Sequence, residues 1–212
     1  MSATASDVAG SAARRSVSHL LFRPFACIAG GRSLLVGLAA IMLAGFLGSL
    51  SHTHFDGAID MHTGRPAATS VFLSEGLVNW LAMSVALFLL GKLVSRADFR
   101  ALDLFGTQAM ARWPTVLAAL AALAPPYRRL VSSITTQALQ TGGFAAERAD
   151  VVLGGLPMLV ALLTIVWMVA LMYHSYSLCC NIRGARAGLS FVAALVAAEI
   201  VSKIVIVRVL LG

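Results

Sequence analysis

Charge is scarce in this chain. Of its 212 residues only 12% are Asp, Glu, Lys or Arg, against about 25% in ordinary soluble domains. That deficit argues against a water-soluble domain. Cysteine is scarce too. Cys27, Cys179 and Cys180 are the only three, and adjacent cysteines rarely bridge each other, so no disulfide framework is expected. They read as packing residues at a membrane edge. Signatures of nucleotide and hydrolase chemistry are missing. Gly-Gly occurs at 30–31, 142–143 and 154–155, each time without the Lys-Ser/Thr that a phosphate-binding loop needs. Neither G-x-S-x-G nor H-E-x-x-H occurs. The formal net charge is +7, but the basic residues are scattered and form no stripe interleaved with aromatics. No nucleic-acid partner is expected.

What the chain has instead is long apolar runs, with a mean hydropathy of +0.87. Residues 33–50, "SLLVGLAAIMLAGFLGSL", carry no charge. Eighteen residues at 1.5 Å each give about 27 Å, close to one hydrocarbon core. Residues 70–91, 152–180 and 187–211 are similar runs. Residues 112–126 are harder to read, because the apolar stretch between Pro114 and Pro125 is short. It suits a short or re-entrant segment as well as a crossing. Ahead of the first run, "SHLLFRPF" within residues 1–30 reads as a short interfacial segment. No secretory signal is expected, since the leader is long and lacks a small-x-small cleavage site.

Basic residues set the orientation. With five spans and the N-terminus inside, Arg65, Arg128, Arg129 and Arg148 lie outside. Arg14, Arg15, Arg23, Arg32, Lys92, Arg96, Arg100, Arg112, Arg183 and Arg186 lie inside. A four-span arrangement puts all of 92–151 inside. Both satisfy the positive-inside rule. Both place the N-terminus in the cytoplasm and residues 51–69 outside.

The stretch "WLAMSVALFLLGKLVSRADFRALDLFGTQAMARWPTVLAALAAL", residues 80–123, has a distinctive punctuation. A span ends in Gly-Lys, a polar break and Phe-Arg follow, then a mixed helix and a Pro ahead of a short apolar run. Together with "LLFRPF" and "LMYHSYSLCCNIRGARAGLSFVAALVAAEIV" it resembles the bacterial branch of the Yip (Ypt-interacting protein) family of multi-pass membrane proteins. The resemblance covers roughly residues 20–211 and is a pattern of spans, with no chemically unique motif. It implies five spans and an outside C-terminus, and it tips the third segment toward a crossing. The eukaryotic relatives act in membrane traffic and bind Rab-type GTPases. That role is not carried over to this chain, whose cytoplasmic tail is short.

Four features are candidates for chemistry. First, "SHTHFDGAIDMHTG", residues 51–64, puts His52, His54 and Asp56 at alternate positions, with Asp60 and His62 beyond a turn at Asp56-Gly57. An extended strand places alternate residues on one face. His52, His54, Asp56 and His62 are therefore the candidate ligands of a divalent metal such as zinc. The competing reading is a polar hairpin capping the bundle. Second, Glu75, Glu199 and Lys203 lie within spans, where ionisable groups are costly and suggest function. Glu199 and Lys203 share one helix face at i, i+4. They read as a structural ion pair or, with Glu75, as a polar relay. Third, Tyr173 and Tyr176 beside His174 read as anchors at a membrane boundary. Fourth, small residues recur every fourth position at Ala44/Gly48, Ala193/Ala197 and Ala194/Ala198/Ser202, a spacing that lets helices approach closely. Pro157 is expected to kink the fourth span.

The fold class expected is an all-α polytopic membrane protein, a five-helix transmembrane bundle over residues 31–212 with a short extended hairpin between the first two spans. The expected function is a non-enzymatic scaffold or adaptor of the bacterial inner membrane, needing no cofactor. Its partners are the lipid bilayer and either a membrane protein or a second copy of itself. The alternative is a small transporter or channel component working through Glu75, Glu199 and Lys203. A metal-dependent membrane enzyme built on residues 51–64 is the third reading.

Overall fold

The structure is a computed structural model that describes residues 24–26, 28–139 and 148–210. Arg14, Arg15, Arg23 and Cys27, and most of the interfacial segment expected before the first span, lie outside the described residues. The chain is an all-α membrane protein in its content. Helices are α1 (Gly30–Ser51), α2 (Thr69–Val94), α3 (Ala101–Met110), α4 (Thr115–Ala122), α5 (Pro125–Leu139), α6 (Arg148–Cys179) and α7 (Gly184–Val205), the last running into one π-helical turn, Ile206–Leu210. Four helices are long and apolar enough to cross a bilayer: α1, α2, α6, and α7 with its extension. Their outward faces are apolar. Leu35, Val152 and Leu189 are each more than 70% exposed, which in water would be a liability and in lipid is the expected outer surface.

The helix ends follow from local chemistry. His52 takes a left-handed conformation (φ 55°) and its N–H returns to the Gly48 carbonyl, closing α1. Two-residue strands follow, β1 (Thr53–His54) and β2 (His62–Thr63), paired antiparallel with His54 opposite His62. Asn181 (φ 49°) turns the chain between α6 and α7; Asn tolerates that region better than most residues. Pro157 lies inside α6 and does not end it. At the other end of the bundle, Phe25 is buried in the core and lies tilted against His174, with ring centroids 6.0 Å apart.

The segment read as residues 112–126 begins earlier, at Ala101, and is broken. Residues 111–114 form a turn of i→i+3 bonds, Arg112 N–H to the Ala109 carbonyl and Trp113 N–H to the Met110 carbonyl. Pro114 then caps α4 with a φ of −62°, the value its ring fixes. Together α3, this turn and α4 match the length of the 22-residue α1, about 33 Å.

Contacts give every direction. Gly106 lies against the Gly30 carbonyl and Ser33, and Gly37 against the backbone of Ala109 and Met110. Ala44 and Gly45 share a cavity wall with Arg112 and Thr115. So α3–α4 runs alongside α1 and in the same direction. Helix α2 returns antiparallel to α1, with Gly45 against Phe72 and Gly76 against Ile41. Helix α6 opposes α3–α4, because Trp113 stacks edge-on with Trp167 at 4.6 Å while Thr107 meets Cys179 at 3.4 Å. Helix α7 starts beside the end of α2, where Ser95 Oγ donates to the Cys180 carbonyl at 2.7 Å. Its far end meets the loop between α1 and α2.

Candidate functional site

The charged side chains named above gather at one end, beneath the loop joining α1 to α2. Four groups make the layer.

His54 faces Glu75 across the top of α2. Its Nδ1 lies 2.7 Å from Glu75 Oε1, and its Nε2 lies 3.0 Å from the Arg65 carbonyl oxygen. A carbonyl only accepts, so Nε2 carries a proton. Glu75 also accepts the Phe55 N–H at 3.2 Å. Glu75 is 1% exposed and His54 7%. The carboxylate hydrogen bond raises the His54 pKa above its usual 6.5, against the opposing effect of burial. An imidazolium donating from both nitrogens satisfies this geometry. The ring also stacks on Phe72, centroids 4.3 Å apart, and on His62 at 5.6 Å.

Asp56 and His62 form the second pair, Oδ1 to Nδ1, at 3.2 Å. Each stabilises the other's charge: hydrogen bonding to His62 lowers the Asp56 pKa, and hydrogen bonding to Asp56 raises that of His62. The third group is Lys203, whose Nζ lies 2.7 Å from Asp60 Oδ2 and 3.3 Å from Glu199 Oε1. Glu199 also accepts the Ile59 N–H at 3.3 Å. Gly57 permits this, since a Cβ there would collide with the Glu199 carboxylate. The fourth is Arg112, which is 5% exposed. Its Nη2 donates to the Asn79 carbonyl at 3.0 Å, and it feels the charge of Glu199. Asn79 Nδ2 in turn donates to the Phe55 carbonyl. Helices α2, α3–α4 and α7 thus each extend polar groups toward one loop.

Of the residues read as metal ligands, Asp56 and His62 come together, and Asp60 joins them. One ligand atom from each lies within 4.8 Å of the others. His54 stands apart, with both ring nitrogens engaged. His52 caps α1 and is not in the group. The Lys203 ammonium sits on Asp60, placing a cation beside the position a divalent ion would take. Of the intramembrane polar residues, Glu199 and Lys203 pair as their spacing implies, but both turn toward the loop. Glu75 joins His54, not Glu199.

Arg112 and Asn79 are site residues that the sequence alone does not single out. The signal for Arg112 was present: a charge next to an apolar run needs shelter. Asn79 gave none.

Comparison with family models, curated proteins and solved structures finds no match to this chain.

Proposed function

We propose that this chain is a five-pass protein of the bacterial inner membrane, Yip-like in its order of spans, and that it works as a non-enzymatic scaffold or adaptor. In this reading the N-terminus is cytoplasmic, the C-terminus is periplasmic, and α3–α4 is the third pass. Two features support that pass. Its 22-residue length equals that of α1, and it runs alongside α1 over the same depth. The residues on its inner face, including Leu104, Ala109, Ala111 and Ala118, are fully buried.

One observation carries the scaffold reading. The polar layer is confined to one end of the bundle and rests on an apolar core. Below it lie Met83, Leu87, Leu104, Met168, Leu171 and Met172, none more than 2% exposed. Deeper down, Gln108 Nε2 donates to Ser175 Oγ and to the Met172 carbonyl, and Ser175 Oγ donates to Thr107 Oγ1. Transport requires a polar path from one side to the other, whereas Glu75, Glu199 and Lys203 are spent holding the outer loop. Their role in this reading is to latch residues 53–63 onto the helix ends.

Two measurements test it. Single cysteines in an otherwise cysteine-free chain, at Arg96 and Ser132, are labelled with an impermeant maleimide. The five-pass reading expects opposite sides, and labelling of both from one side overturns it. Glu199→Gln and Glu75→Gln are then compared with the native chain in proteoliposomes loaded with a pH dye. The scaffold reading expects no proton leak from any of them. A flux in the native chain that either variant abolishes overturns the reading in favour of transport.

A further inference from the structure

We infer that the chain binds an anionic phospholipid of the leaflet at the α6–α7 turn, with the headgroup on Lys92 and Arg186 and one acyl chain in the groove between α2 and α7. The two parts of such a site are independent features of the fold.

The groove has a volume of about 630 Å3 and runs from Val78 to Leu90 on α2 and from Ala193 to Val205 on α7. Every residue lining it is Val, Leu or Ala. Alanines on the α7 side keep it deep. From Ala193 to Val205 is about 18 Å along a helix, slightly more than the roughly 15 Å of one leaflet's hydrocarbon. The groove therefore has the length of one acyl chain. It lies on the lipid-facing side, so an amphiphile enters it from the bilayer without crossing water.

The end toward which it opens is strongly basic. Arg32, Lys92, Arg96, Arg100, Arg183 and Arg186 are all exposed there. Against these six, Asp98 and Asp103 are the acids among the described residues at that end. Helical periodicity puts two of the cations in line with the groove. Lys92 is seven residues after Val85 and three after Leu89, and Arg186 is seven before Ala193. Seven residues make nearly two full turns, so each cation lies on its helix's groove-facing stripe. Lys92 is held over the Phe99 ring at 4.8 Å and lies only loosely against Asp98, at 3.9 Å. The contact of Ser95 with Cys180 sets the end of α2 beside the α6–α7 turn, so both cations lie at the same end of the bundle. An apolar slot of one-leaflet length with a cationic mouth is complementary to a phosphodiester carrying an acyl chain. Basic pockets between spans on the cytoplasmic side take such headgroups.

This inference rests on the membrane-spanning reading and not on the scaffold role. The labelling experiment reads the spans and the following one reads the lipid, so the two fail separately. The full chain, purified in micelles doped with equal palmitoyl-oleoyl phosphatidylglycerol and phosphatidylcholine, is analysed by native mass spectrometry. The native chain is expected to retain phosphatidylglycerol in preference. Each surface cation contributes about five-fold, so K92Q/R186Q should cut the ratio by up to roughly 25-fold. R65Q at the opposite end should leave it unchanged. A197F, which fills the groove, should lower retention of both lipids. Equal retention of the two lipids by the native chain overturns the inference, as does a ratio unmoved by K92Q/R186Q. So does A197F converting a dimer to monomer with lipid retention unchanged, which makes a second copy the occupant.

Discussion

Removing His54 tests whether the loop latch is one electrostatic unit. His54→Ala takes the counter-charge from Glu75, which is 1% exposed. Its carboxylate keeps only the 3.2 Å bond from the Phe55 N–H. Deleting one member of a buried pair costs about 3–5 kcal/mol, because the other charge stays buried alone. The lost stacking on Phe72 adds to this. Glu75→Gln is milder. The amide can donate to His54 Nδ1 while Nε2–H still reaches the Arg65 carbonyl, so a neutral imidazole keeps both bonds. Only the charge-assisted part is lost, about 1–2 kcal/mol. In the double variant the carboxylate that made His54→Ala costly has gone. The double variant should therefore be more stable than the sum of the singles by roughly 2 kcal/mol, within the range seen for residues in contact. The assay is reversible unfolding in mixed micelles followed by tryptophan fluorescence. Additive effects of the two substitutions would refute the coupling and leave His54 as a packing residue only.

Two further outcomes follow from the packing and the charges. Gly37→Ala should destabilise by at least about 2 kcal/mol, because the new methyl collides with the backbone of Ala109 and Met110; Gly188→Ala, with open space around it, should be near neutral in the same unfolding assay. Zinc should raise the melting temperature of Lys203→Met more than that of the native chain, because the substitution removes the cation from Asp60 and leaves Asp56, Asp60 and His62 convergent; an equal response in both chains would show that Lys203 does not compete.

The helices that could be read from the sequence are those in which long apolar runs outweigh the few polar residues. Residues 33–50 carry no charge and residues 187–198 none either, and the structure extends or trims these two spans by only a few residues. The stretch 101–112 was obscured by its own chemistry. Asp103, Thr107, Gln108 and Arg112 make it look like a polar linker. Yet Thr107 and Gln108 are 1% exposed: Gln108 Nε2 donates to Met172 and Ser175 of α6, and Thr107 Oγ1 accepts from Ser175 while donating within its own helix. Composition cannot separate a polar residue facing water from one satisfied by a neighbouring helix. The same limit applies to the latch. The i, i+4 spacing alone predicts the pairing of Glu199 with Lys203. Asp60 meets Lys203 across 143 residues and His54 meets Glu75 across 21, distances at which no local periodicity acts. The alternation of His52, His54 and Asp56 suggested one strand face, but β1 ends at His54, so Asp56 follows a different path.

The latch also has an electrical condition. Its anions are Asp56, Asp60, Glu75 and Glu199; its cations are Lys203 and Arg112, plus His54 and His62 when protonated. Arg65 adds an exposed, solvated charge at the edge. Charge therefore balances within the layer only when both imidazoles carry protons. Both histidine pKa values are raised above 6.5, by Glu75 and by Asp56. A group that binds its proton more tightly when folded contributes fully below its unfolded pKa, and loses that contribution as pH rises through the folded value. Stabilisation of the loop by these pairs should thus be complete below pH 6.5 and fade above it. Asp56, with its pKa lowered from 3.8, behaves oppositely and loses its contribution only in acid. The consequence is local. Hydrogen exchange over residues 53–63, normalised to intrinsic rates, should show protection at pH 6 that weakens as pH rises, while α2 and α7 stay protected. His62→Ala should weaken that protection already at pH 6. Protection unchanged from pH 6 to 9 would mean that the loop is held by its backbone pairing, Thr53 with Thr63 and His54 with His62, and that the imidazole protons contribute nothing to the latch.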